Sequence, residues 1–167
     1  MHDELTQVDI KKMREEIEYR KFTLMPKLKE ELKQAREMGD LSENFEYHAA
    51  RRELGRNNSR IRYLESMIAT AKIISSKSAD GVIGLFDHVT LFDEDEKEEM
   101  NITIVTTLRQ DSLNGIISKE SPLGSAVMGK KVGDRVLVTV NSTYSYYVKV
   151  LKIEKGTDDE SLSISKY

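Results

Sequence analysis

The hexapeptide Gly39-Asp40-Leu41-Ser42-Glu43-Asn44 separates two long stretches in which apolar residues recur three and four positions apart. That periodicity on both sides of one polar interruption constrains the chain to run out along one helix, turn, and return along another. A glycine followed by two carboxylates, a serine, an asparagine and one leucine buries little, so the hexapeptide is the tip of a helical hairpin. Its acidic groups are displayed rather than packed.

The outgoing arm carries Ile10, Met13, Ile17, Leu24, Leu28, Leu32 and Ala35 on one line, a stripe narrow enough for one partner helix. Thr6 or Asp9 can cap its start, and Gly39 is placed to end it. Pro26 falls inside the pattern, where it removes a backbone donor and collides with the carbonyl four residues back. The apolar spacing continues in phase beyond it, which predicts a kink and not an end. The return arm, with Asp40 or Ser42 as cap, carries Tyr47, Ala50, Leu54, Ile61, Leu64, Ile68 and Ala71. Leu54, Ile61 and Ile68 stand at heptad spacing, and Asn57 and Asn58 are polar exceptions able to fix register at some cost in stability. Arms of about thirty residues at about 1.5 Å each make a rod of about 45 Å.

Ser75 to Gly81 has neither periodicity nor apolar content and reads as a linker. Beyond it the period changes to two. Asp87 to Phe92 and Asn101 to Thr106 form a hairpin around the acidic turn Asp93 to Glu99; Arg135 to Val140 and Tyr146 to Ile153 form a second. Ser121-Pro122 opening a short apolar run that ends at Gly129 predicts a helix with Ser at N-cap and Pro at its first position. The expected fold is α+β. Residues 1–75 form an antiparallel coiled coil with its acidic tip at 39–44, and 76–81 are a linker. Residues 82–155 form a small antiparallel sheet with one short helix, and 156–167 are a frayed, flexible tail.

Composition removes several classes. There is no cysteine in 167 residues, so disulfides and thiolate zinc sites are out of reach and a reducing compartment is expected. No signal-peptide layout and no apolar run of about 18 residues is present, and a cytoplasmic protein without membrane contact is expected. The net charge of −3 is unevenly divided: residues 1–79 carry 16 Lys+Arg against 14 Asp+Glu, and residues 80–167 carry 10 against 15. Such a split suits a partner that is part protein and part nucleic acid, or a long helical surface solvated by charges of both signs.

Two readings of the tip stand side by side. Asp40 and Glu43, three apart at a helix start, match a capping box in which each carboxylate satisfies a free N–H. The same two carboxylates can supply oxygen ligands to a hard cation such as Mg²⁺, shared with a second protein and a phosphate because two ligands are too few for an independent site. Arg51, Arg52, Arg56, Arg60 and Arg62 behind the tip form either a solvated face or a patch for a phosphate backbone. Phe45 and Tyr47 can stack on a base, although Tyr47 also suits packing between the helices. His2, His48 and His88 show no ligand spacing, and no nucleophile–base pair, P-loop or dinucleotide fingerprint occurs.

The run Gly39-Asp40-Leu41-Ser42-Glu43-Asn44-Phe45-Glu46-Tyr47-His48-Ala49-Ala50 closely resembles the signature of the bacterial Gre transcript-cleavage factors, the GreA/GreB family. The similarity continues at Arg60 to Glu65, at Ser121-Pro122-Leu123-Gly124 and at Gly129 to Asp134. The resemblance implies an N-terminal antiparallel coiled coil and a C-terminal FKBP-like domain without isomerase activity. It implies a factor that is not itself an enzyme, a monomer that enters the secondary channel of RNA polymerase and stimulates cleavage of the nascent RNA 3′ end in backtracked complexes. On these positions Asp40 and Glu43 help hold an Mg²⁺ shared with the polymerase and orient a water. Ser42 and Asn44 assist positioning; Arg51, with Arg52 and Arg56, faces the RNA; Ser121, Pro122 and Leu123 dock on the polymerase. No tightly bound cofactor is expected in the free chain. Leu41 is closer to the A-type factors, which implies short backtracks. The other reading is a channel-binding regulator that occupies the polymerase without promoting cleavage. A prolyl isomerase, suggested by fold analogy alone, would require an aromatic-lined pocket that a domain without tryptophan does not advertise.

Overall fold

The computed structural model describes residues 3–39, 44–158 and 160–166, which divide into two compact units. The first unit is built on Ile10–Lys72, and the second takes Glu4–Asp9 together with the chain from Ile73 onward.

The first unit is the helical hairpin. Helix α1 (Gln7–Tyr19) passes through a π-helical turn (Arg20–Leu24) into α2 (Met25–Arg36), and α3 (Phe45–Thr70) returns. Every residue of the two apolar lines is buried or half-buried, with Ile10, Met13, Leu28, Ala35, Ile61 and Leu64 the most enclosed. The expected distortion at Pro26 takes a specific form. The turn before the proline widens so that the Met25 N–H reaches the Arg20 carbonyl, five residues back. Pro26 has no N–H to give to Phe22, and a widened turn relaxes the contact between its ring and that carbonyl.

The π turn is also where the arms are keyed together. Asn57, buried on α3, donates to the Arg20 carbonyl at 3.2 Å and accepts from the Arg20 guanidinium at 3.0 Å. One turn further along α3, buried Arg60 pairs with Glu16 at 2.7 Å. A one-turn slip would strand both side chains without partners, which costs about 1–3 kcal/mol for each unsatisfied polar group. Asn57 is thus a register device.

The second unit opens at β1 (Glu4–Leu5), and the chain re-enters it at β2 (Lys72–Ile73), after which the Ile74 N–H donates to the Leu5 carbonyl at 2.8 Å. Thr6 and Asp9 are both right as cap residues, in complementary roles: Asp9 N–H donates to Thr6 Oγ1 and Thr6 N–H to Asp9 Oδ2, a reciprocal box at the start of α1. Strands β3 (His88–Asp93), β4 (Glu98–Val105), β5 (Ile116–Ser118), β6 (Arg135–Thr139) and β7 (Ser145–Glu154) form one sheet in the order β5-β4-β3-β7-β6, with helix α4 (Pro122–Val127) between β5 and β6 in sequence. Val89, Leu91, Ile104, Val138, Val148 and Val150 point to one face and form the core with Val127 of α4.

Three expectations are corrected. The sheet is mixed, because β5 runs parallel to β4 after two short 3₁₀ turns, Thr107–Arg109 and Ser112–Asn114. With only three residues and one apolar alternation, β5 carries little periodic signal. The boundary lies at Lys72/Ile73, and the segment read as a linker is held within the second unit: Lys155 Nζ donates to Ser78 Oγ at 2.6 Å and to the carbonyls of Ala79 and Val82. Residues 156–166 are not frayed where described. Ile164 is buried, Leu162 packs against the core, and Ser165 N–H donates to the Leu108 carbonyl at 2.6 Å. Their serine and acid content hid two apolar anchors.

Candidate functional site

The last turn of α2 and the first of α3 frame the tip. Glu37 and Met38 donate back to Lys33 and Ala35 at 3.2 Å, and Gly39 adopts a φ of 138°, a conformation that a side chain would strain. Helix α3 starts at Phe45 with Asn44 as its N-cap: Asn44 Oδ1 accepts from the Tyr47 N–H at 3.0 Å, and Asn44 Nδ2 donates to the Ala35 carbonyl at 2.5 Å. This corrects the expectation of Asp40 or Ser42 as cap. Asp40, Leu41, Ser42 and Glu43 lie outside the described residues. What the described residues show is that the N3 amide of α3 already has its partner, so a box with Asp40 as N-cap and Glu43 at N3 does not start this helix.

Around the base of the tip, Phe45 is 86% exposed and Met38 is also exposed. Tyr47 is half-buried, with the Arg36 guanidinium 5.7 Å from its ring centre and the His48 ring edge-on at 5.4 Å. Packing between the arms accounts for the half-burial of Tyr47.

Helical geometry sorts the arginines. Arg51 follows Tyr47 by four residues and shares its side of α3, and Arg62 follows eleven later on the same side. Arg52 and Arg56 share a different side, and Arg56 is bonded to Glu53 at 2.5 Å. Arg60 belongs to neither, since it is buried against Glu16. Arg51 therefore lies on one side of α3 and the pair Arg52 and Arg56 on another. Sequence reasoning passed over the residues that complete the Arg51 side: Lys29, Lys33 and Arg36, exposed on α2 at spacings of four and three, with Arg36 over Tyr47. The spacing alone carried that signal.

In the second unit Ser121 caps α4 as expected, accepting from the Gly124 N–H at 3.0 Å while its hydroxyl donates to the Ser118 carbonyl at 2.7 Å. Pro122 is exposed, and Leu123 is half-buried against the core. A Cβ on Gly124 would lie 2.0 Å from the Ser118 carbonyl oxygen, so only glycine fits there. Among the described residues no three His, Asp or Glu side chains converge on a possible metal position.

Two family models together span nearly the whole chain. Residues 4–73 match the N-terminal domain of the transcription elongation factors, and residues 71–155 match the C-terminal GreA/GreB domain. The chain belongs to the GreA/GreB family of transcription elongation factors. It is 41% identical over 152 residues to the transcription elongation factor GreA of Thermoanaerobacter pseudethanolicus, covering 90% of this chain and 96% of that one. It is 39% identical to the GreA of Mesoplasma florum, over 87% of this chain and 94% of that one. Among solved structures, Gfh1 of Thermus thermophilus is 25% identical with a TM-score of 0.43, covering 93% of this chain and 100% of that one. The family's long hairpin and sheet domain are both present here, and no helix among the described residues is long and apolar enough to cross a membrane.

Proposed function

We propose that this elongation factor acts on RNA polymerase from its secondary channel, where the hairpin tip completes the enzyme's own centre for cleaving backtracked RNA. The observation that carries the reading is the Asn44 cap. With the N3 amide of α3 already satisfied, the carboxylates of Asp40 and Glu43 are not needed to start the helix and are left for chemistry. Two carboxylates three residues apart are a donor set that suits a hard divalent cation held jointly with another protein. An Mg²⁺ shared with the polymerase would supply Lewis acidity toward the RNA phosphate; Asp40 and Glu43 are the residues that would hold it from this side.

The remaining roles follow from position. Ser42 lies between the two acids and is assigned to orienting water. Asn44 ties α2 to α3 at the root of the tip, so that the acids are presented by a closed hairpin and not by two fraying ends. Arg51, with Arg36 and Lys33 beside it, offers positive charge toward a displaced RNA 3′ segment; Arg52 and Arg56 serve the other side. Ser121, Pro122 and Leu123 are the docking segment on the polymerase. The chain works as a monomeric cytoplasmic accessory, with the scissile bond and the main metal site belonging to the polymerase.

The test is addition of the protein to a halted, backtracked complex of the cognate polymerase. Shortening of the RNA from its 3′ end supports the reading. Binding without shortening would favour a channel-occupying regulator instead.

A further inference from the structure

We infer that residues 157–158 and 160–166 form a strap that holds the docking segment in shape, so that this segment sets how firmly the factor engages the polymerase. The inference rests on the docking role proposed above for Ser121, Pro122 and Leu123. The C-terminal family model ends at residue 155, so the strap lies beyond the part of the chain that the family defines.

Arg109 is the anchor. It is 1% exposed, and a guanidinium enclosed to that extent requires compensating charge. Its Nε lies 2.9 Å from Asp9 Oδ1, its Nη2 donates to both oxygens of Asp158 at 2.7 Å, and its Nη1 donates to the Leu162 carbonyl at 2.7 Å. Phe86 lies under the guanidinium at 5.5 Å. Asp158 and Leu162 both belong to the strap. Asp9 has its own calls on its carboxylate, from Thr6 N–H and from Thr106 Oγ1 at 2.9 Å each. Without the strap the guanidinium would keep one carboxylate of two and lose its carbonyl.

A continuous run of hydrogen bonds leads from this anchor to the docking segment. Arg109 closes the 3₁₀ turn that begins at Thr107, and the strap's Ser165 N–H fixes the middle of that turn at the Leu108 carbonyl. Thr107 Oγ1 is hydrogen-bonded to Ser118 Oγ at 2.7 Å, and the same Ser118 oxygen accepts from the Glu120 N–H at 3.1 Å. The Ser118 carbonyl accepts from both the N–H and the hydroxyl of Ser121, whose Oγ in turn caps α4. Ser118 is buried, so these bonds have no ready replacement from water. The position of the Thr107 turn thus sets Ser118, and Ser118 sets Ser121 and Pro122. A segment held by an ion cluster, a few hydrogen bonds and two apolar side chains at the edge of the unit is the kind that opens locally, without unfolding the sheet.

The test uses the full chain, a chain ending at Thr157, and the near-isosteric Asp158→Asn. Amide hydrogen exchange is read on the free proteins, and the dissociation constant for core RNA polymerase on each. The strap predicts exchange faster by about tenfold or more at Leu108, Ser121 and Gly124 in the shortened chain, with β6 and β7 unchanged. Polymerase binding should weaken by about tenfold, with Asp158→Asn between the two. Unchanged binding in the shortened chain overturns the inference, as does faster exchange spread evenly over the sheet, which would mark a purely structural tail. If the full chain itself fails to bind polymerase, the docking reading falls and takes this inference with it. Binding by the full chain with equal binding by the shortened one removes the strap alone.

Discussion

Asn44 joins the two arms of the hairpin at its tip: its amide donates to the Ala35 carbonyl at 2.5 Å while its oxygen accepts the Tyr47 N–H at 3.0 Å. One side chain therefore ends α2, starts α3 and closes the base of the tip. Asn44→Ala removes both bonds and should cost about 1–2 kcal/mol of stability. Asn44→Asp keeps the cap acceptor but turns a donor toward Ala35 into an oxygen. Thermal unfolding of the two variants should therefore rank alanine as the more destabilised, while RNA cleavage should fall in both. Full cleavage by Asn44→Asp would show that closure of the base is not required.

Asn57 and Arg60 fix the sliding of one arm along the other. Glu16→Ala leaves the Arg60 guanidinium buried without its carboxylate and should destabilise the chain by about 3 kcal/mol, read by denaturant unfolding. Arg52→Ala, on an exposed side chain, should stay within about 0.5 kcal/mol of the parent. The contrast separates a buried arginine that sequence alone grouped with its neighbours from those that face solvent.

Much of this was legible in the chain. Both apolar lines were right residue by residue because a two-helix seam imposes a strict period that few other structures share. The Ser121-Pro122 helix start was right because cap chemistry is local. The failures have physical causes. Asn44 was passed over as cap because Asp40 and Ser42 are equally good cap residues, and only the three-dimensional reach to Ala35 chooses among the three. Strand β5 is too short to carry a period. The strap looked disordered because Leu162 packs against a core built from distant strands and Asp158 pairs with Arg109, about fifty positions away, and no local pattern connects them.

Gly124 tests the docking role proposed for α4. Gly124→Ala places a methyl group against the Ser118 carbonyl, where backbone and not a movable side chain must yield. A loss of more than about 2 kcal/mol is expected, together with weaker polymerase binding. Gly55→Ala on α3, where nothing lies within 4 Å of the added carbon, should raise stability by about 1 kcal/mol. Differential scanning calorimetry of the pair checks both signs.

Stability should be insensitive to pH near neutrality and fall in strong alkali. Partial burial pulls the Lys119 ammonium down, but its bonds to Glu4 and Glu120 outweigh that and raise its pKa above the ordinary lysine value. Burial likewise raises the Tyr146 phenol, helped by the charge of Asp93. Groups with raised folded-state pKa values contribute fully below their unfolded values and lose that contribution as pH rises through the folded ones, which places the decline above about pH 10. Melting temperatures that drop between pH 7 and 9 would contradict this.

The most direct measurement is RNA cleavage in a backtracked complex of the cognate polymerase, comparing the parent with Asp40→Ala and Glu43→Ala and recording polymerase binding for each. The account predicts cleavage lowered by at least about 100-fold in both variants with binding unchanged, as expected for loss of groups that act at the reacting centre. Parental cleavage rates in both variants would contradict it and return the two carboxylates to the solvated surface of the tip.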